Sequence, residues 1–118
     1  MAQSFGQLIR DARKDKGYSQ RELAKLIGLD FTYLSKLEND RADYPPKESA
    51  IRSLAEHLNL NAEELIFLAG RITARDEEFL KQNPKEMLVL FRRLQENPEF
   101  ANKVFREAQK LENQEEQG

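Results

Sequence analysis

Thr32, Ser35, Lys36 and Asn39 are spaced so that, at about 100° per residue, they share one side of a helix while Leu34 and Leu37 occupy the other. Short hydroxyl and amide groups beside a long cation form a hydrogen-bonding face that suits the edges of base pairs in a groove. A lysine donates to guanine O6 or N7, and a threonine methyl can meet the methyl of thymine. Thr32 and Lys36, four residues apart near the helix start, are the candidates for base-edge contact. Phe31 and Tyr33 stand on the shoulders of this face, and each has two readings: contact with a base, or completion of a core. Gln20 falls in the first turn of the preceding helix, where free backbone N–H groups and the helix dipole favour a phosphate. Arg21, Ser35, Asn39 and Arg41 are further phosphate candidates, with solvated surface as the competing reading for Arg21.

Catalytic chemistry has little to build on. The chain has no cysteine, which excludes disulfides, thiolate metal sites and cysteine nucleophiles. His57 is the single histidine and falls near a helix end, where the dipole favours it without any catalytic role. No serine, histidine and acid set, metal cluster or glycine-rich phosphate loop stands out. We expect neither enzyme activity nor a metal or other cofactor.

The elements that position these side chains are legible from their caps. Ser4 opens a helix running to about Lys16, with Phe5, Leu8, Ile9 and Ala12 on one face and Gly17 as its stop. Ser19 and Glu22 form a capping box for "SQRELAKLI", which Gly28 ends. Asp30 caps the helix from Phe31 to about Glu38, so its acidity serves free N–H groups first. A fourth helix carries Ile51, Leu54, Ala55 and Leu58, and Asn61 with Glu64 caps a fifth that stops at Gly70. The charged stretch "RITARDEEFLKQ" reads as a helical connector. Two segments opening on Asn-Pro follow, with Asn placed to cap, Pro at the first helical position and Glu86 completing a box in the first. No window alternates with period two for long enough to suggest a strand.

The 118 residues carry a formal net charge of −2, but the charge is uneven: eight bases face six acids up to Arg41. A mixed surface of this kind is weak grounds for a nucleic-acid partner by itself. There is no apolar run of signal-peptide or membrane-spanning length, and the cytoplasm is the expected compartment.

The wider pattern "IRDARKDKGYSQRELAKLIGLDFTYLSKLEN" resembles the Cro/CI-like (XRE) family of DNA-binding domains. Matching positions include Arg10 and Arg13, Gly17, Ser19-Gln20, Leu23-Ala24, Gly28, Leu34-Ser35, Leu37-Glu38 and Leu54-Ala55. The resemblance covers about residues 4 to 70. It implies a five-helix domain whose third helix enters the major groove while the second lies across the phosphate backbone. It also implies a phosphate contact for Gln20 and a structural salt bridge between Arg13 and Glu38. Asp40 departs from the glycine common after the third helix, and the loop through "RADYPP" is longer than usual.

The expected architecture is therefore all-α: a helix-turn-helix DNA-binding domain over 1–70, a helical connector over 71–82, a C-terminal helical hairpin over 83–112, and a disordered tail over 113–118. In the hairpin, Leu88, Phe91, Leu94, Phe100, Val104 and Phe105 belong to more apolar surface than two helices can hide from each other, which implies a partner. The leading functional expectation is a transcriptional regulator, acting as a repressor that binds an inverted repeat in double-stranded DNA as a homodimer through this hairpin. The alternative is an antitoxin-like or antagonist-controlled regulator whose C-terminal helices bind another protein. A third possibility is an interaction module that no longer reads DNA.

Overall fold

The computed structural model describes residues 3–117, all of whose regular structure is helical. Its elements are α1 (Phe5–Asp15), α2 (Gln20–Ile27), α3 (Phe31–Glu38), α4 (Glu48–Leu58), α5 (Ala62–Leu68), α6 (Ala74–Gln82), α7 (Pro84–Glu96) and α8 (Pro98–Gln117). They fall into two compact units, residues 1–74 and 75–118.

In the first unit every helix but α4 starts where a side chain satisfies a free N–H group. Ser4 accepts from the N–H of Gln7, and Asp30 from that of Tyr33. Ser19 and Glu22 make both bonds of a capping box. Asn61 accepts from the N–H of Glu64. α4 has no side-chain cap on Lys47 and instead follows Pro45-Pro46, a pair that cannot extend a helix backwards. Gly28 ends α2 at φ 71°, in the left-handed region that costs glycine least, and so sets the sharp turn into α3.

All five helices of this unit contribute to one core: Ile9 and Ala12 from α1, Leu23 and Ala24 from α2, Leu34 from α3, Ile51, Leu54, Ala55 and Leu58 from α4, Leu65 and Ile66 from α5. α1 and α2 both pack on α3, so the third helix is held from two sides and projects its remaining face. The unit extends past Gly70 to Ala74, because Arg71 turns back. Its Nε donates to the carbonyl of Pro46 at 2.6 Å and its Nη2 to that of Pro45 at 3.2 Å. Residues 71–74 thus go with the helix-turn-helix unit and not with the connector expected from the sequence.

The second unit holds α7 packed against α8. Asn97 closes one helix and opens the next: its N–H donates to the carbonyl of Arg93, and its Oδ1 accepts from the N–H of Phe100. The other Asn-Pro junction departs from the capping expectation. Asn83 makes no cap for α7; its Nδ2 donates instead to the carbonyl of Phe79, finishing α6. An asparagine between two helices can serve either end, and here the free carbonyls before it claim the side chain. The expected disordered tail is also corrected. α8 continues through Gln117, since the run of Glu, Gln and Asn after Leu111 contains neither proline nor glycine and does not oppose helix. Gly118 lies outside the described residues.

Candidate nucleic-acid interface

Beneath the projecting helix lies a charged node. Glu38, at the end of α3, is buried to 1% exposure, and Arg13 from α1 to 8%. Arg13 Nε donates to Glu38 Oε2 at 2.7 Å and Nη2 to Oε1 at 3.0 Å, a bidentate pair. The remaining nitrogen, Nη1, donates to the carbonyl of Tyr18 in the α1–α2 turn at 2.9 Å. Gln20 Nε2 also donates to Glu38 Oε1, at 2.9 Å. One carboxylate thereby joins α1, the first turn of α2 and the C-terminus of α3. Such a group carries a large desolvation cost, offset here by three charge-assisted bonds.

A second lock holds the other side of α3. Asp40 takes φ 55°, an uncommon geometry for any residue but glycine, and the backbone around it closes a Schellman motif. The Arg41 N–H donates to the carbonyl of Lys36 at 2.8 Å, and that of Asp40 to the carbonyl of Leu37 at 3.1 Å. The Asp40 side chain then accepts from Ser4 Oγ and from the Gly6 N–H, at 2.7 and 2.9 Å, which places an anion at the N-terminus of α1. Gly6 permits the approach. A Cβ there would stand 2.4 Å from the Leu37 carbonyl oxygen.

The face left open on α3 carries Thr32 and Lys36, both exposed, with Ser35 half-buried beside them. Neither Thr32 nor Lys36 has a protein partner among the described residues, so both are available to a ligand. Phe31, at the head of the helix, lies outside the core with 36% exposure, and the Arg21 guanidinium sits 4.4 Å from its ring centroid.

Other residues singled out in the sequence are engaged within the protein. Tyr33 stacks on Tyr44 with ring centroids 5.0 Å apart, and its hydroxyl donates to the Tyr44 carbonyl at 3.0 Å. It clamps the loop after α3. Burial, with a smaller contribution from Tyr44, raises the Tyr33 pKa above the ordinary tyrosine value, and Arg71 opposes this. Asn39 uses one Nδ2 hydrogen on the Ser35 carbonyl at 2.8 Å, while its Oδ1 accepts from Arg10 Nη2 at 3.0 Å, which leaves one amide hydrogen for a phosphate. Gln20 likewise has one amide hydrogen committed to Glu38. Arg41 is exposed beside this face, immediately after the Schellman turn. His57 Nδ1 donates to the Ser53 carbonyl one turn back, a local helix bond.

The sequence reading passed over Gly6, the bond from Arg10 to Asn39, and Arg71 as the anchor of the loop. A glycine one residue inside a helix start, where it costs helix stability, was the one signal for Gly6. The two arginines carry no such signal, because their acceptors are a side chain and carbonyls brought close only by folding.

Helix, tight glycine turn and a second helix with an open polar face form a helix-turn-helix. The model of a helix-turn-helix domain family matches residues 6–71. The chain belongs to the Cro/CI-like (XRE) helix-turn-helix family. It is 32% identical over 82 residues to the HTH-type transcriptional regulator SinR of Bacillus licheniformis, across 65% of this chain and 74% of that protein. It is 31% identical over 93 residues to the immunity repressor protein of Bacillus phage phi105, across 79% of this chain. The chain spans 61% of the length of that repressor. A solved SinR protein/SinI protein complex matches 97% of this chain and 99% of that one with a TM-score of 0.50 at 24% identity, a likeness of fold. As an XRE helix-turn-helix protein it is a DNA-binding transcriptional regulator and not an enzyme. No described helix is long and apolar enough to cross a membrane.

Proposed function

We propose that this regulator is a cytoplasmic repressor that binds an inverted-repeat operator as a homodimer, placing α3 of each protomer in successive major grooves. The observation that carries the reading is the open face of α3, with Thr32 and Lys36 free while the rest of the helix is pinned by Glu38 and Asp40. In this reading Thr32, Lys36 and Phe31 meet base edges, and Gln20, Ser35 and Arg41 approach phosphates. Gln20 does so with its orientation preset by Glu38.

Dimerisation is supported by the second unit. Leu88, Phe91, Phe100 and Phe105 are exposed, with Leu94 and Val104 half-buried among them. Exposed large apolar side chains clustered on one helical hairpin favour an interaction site. Two-fold symmetry of a helix-turn-helix dimer goes with an inverted repeat whose half-sites lie one helical turn, or a multiple of it, apart.

The test is selection from a random duplex library by the purified full chain at near-physiological salt, followed by sequencing. An enriched inverted repeat with half-site centres about 10 base pairs apart, or a multiple of that, is the expected result. Retention without enrichment at low salt points to non-specific phosphate contact alone. A promoter carrying the recovered repeat is expected to lose output when the protein is supplied.

The same apolar face favours a second reading, in which a different protein covers it. The structure that shares this fold holds SinR together with SinI. For the present chain, stoichiometric co-purification of a heterologous protein in place of a homodimer would select that reading.

A further inference from the structure

The arginines of the first unit differ in what their guanidinium groups already hold. Arg13 is bound to Glu38, Arg10 to Asn39, Arg52 to Glu48 and Arg71 to the Pro45 and Pro46 carbonyls. The guanidinium groups of Arg21 and Arg41 are bound to no acceptor among the described residues. What sets Arg21 apart is the face of Phe31, 4.4 Å from guanidinium carbon to ring centroid. A guanidinium in that position keeps all five N–H donors on its rim. The ring fixes where the group sits and removes part of the side-chain freedom that an exposed arginine would otherwise lose on binding.

The position of the stack distinguishes its role from that of a phosphate contact. Arg21 stands in the first turn of α2, on the helix that crosses the backbone, yet its head is drawn over to Phe31, the first residue of α3. That is the end of the recognition helix whose side chains reach base edges. The planar fork of arginine matches guanine O6 and N7 in the major groove, the commonest specific pairing.

We propose that Arg21, seated on Phe31, reads a guanine next to the base pair that Phe31 meets, so that the two side chains act as one specificity-determining unit. The inference rests on the regulator reading above and moves Arg21 from the backbone to the base edges. Phe31 is then both a contact and the platform that aims the fork.

The experiment uses the full chain and the operator recovered by selection, with each guanine of a half-site replaced in turn by adenine. Arg21→Lys keeps the charge and loses the fork. Its discrimination against adenine is expected to fall by about tenfold at one guanine, with the salt dependence of binding unchanged. Phe31→Leu should reduce discrimination at that same guanine when Arg21 is present, and should add nothing there in the Arg21→Lys background. If Arg21→Lys retains discrimination at every position while Arg21→Ala weakens all sequences alike with a shallower salt slope, Arg21 is a phosphate contact and the inference is overturned. Unchanged binding by Arg21→Ala overturns it equally. Either of these results with an operator in hand leaves the regulator reading standing, whereas failure of the wild-type chain to retain any duplex removes both.

Discussion

Glu38 holds three donors from two other helices, and its removal tests how much of the fold passes through one carboxylate. Glu38→Ala leaves the Arg13 guanidinium buried without its partner, which costs on the order of 3–5 kcal/mol. The paired change Arg13→Met with Glu38→Leu removes both charges and should cost less than the sum of the single changes, as read from urea unfolding midpoints. An additive result would mean that the pair is solvated in solution. Two further side chains separate specificity from affinity. Lys36→Ala is expected to relax the operator at one position, by about 1–3 kcal/mol, with other positions unchanged. Gln20→Ala should weaken all sequences alike. It should also lower stability by about 1.5–3 kcal/mol, because its amide supports a charged acceptor. Binding assays at low temperature, where both variants stay folded, keep the two effects apart.

Helices and their caps explain why so much was readable beforehand. Ser4, Ser19, Asp30 and Asn61 each do locally what their type suggests, since a cap depends only on residues within one turn. The Asn83 side chain went the other way because two helix ends compete for it, and local sequence does not rank them. Phe31 and Tyr33 look alike in sequence, but one lies under Arg21 outside the core and the other stacks on Tyr44. The difference is made by a loop more than ten residues along the chain. Gly6 is the element-level case with the sharpest consequence. Gly6→Ala would gain roughly 1 kcal/mol of helix propensity. Its new Cβ, however, meets the Leu37 and Glu38 carbonyl oxygens at 2.4 and 2.7 Å, backbone atoms of the helix that presents the site. Overpacking of this kind costs about 1–3 kcal/mol, so we expect a net fall in thermal stability together with weaker operator binding as α1 and α3 separate. The loop clamp has a pH signature. The raised Tyr33 pKa means that the folded state favours the neutral phenol, so this contribution is full below the ordinary tyrosine pKa and is lost as pH rises past it. Comparing urea midpoints at about pH 9 and about pH 11 should show a smaller alkaline loss for Tyr33→Phe than for the wild type.

The whole molecule divides into a unit with a core of its own and a unit whose apolar side chains remain largely uncovered. That division lets association be tested without disturbing the fold that presents α3. Phe91 and Phe105 are 46% and 53% exposed and belong to no part of the first unit's core, so Phe91→Glu with Phe105→Glu should leave the helix-turn-helix unit folded by circular dichroism. Burying a glutamate in an apolar interface is costly unless it is paired, and the double variant is expected to sediment as a monomer. Two half-site contacts made by one linked molecule gain an effective concentration that two independent monomers lack, worth about 10²–10⁴ in affinity. The double variant should therefore lose binding to the full inverted repeat by a factor in that range, while its affinity for an isolated half-site and its single-base preferences at Lys36 stay as in the wild type. A variant that still sediments as a dimer would place the two-fold contact elsewhere. A wild-type chain that is monomeric alone and on DNA would remove the homodimer and leave the exposed face of α7 and α8 to a different protein.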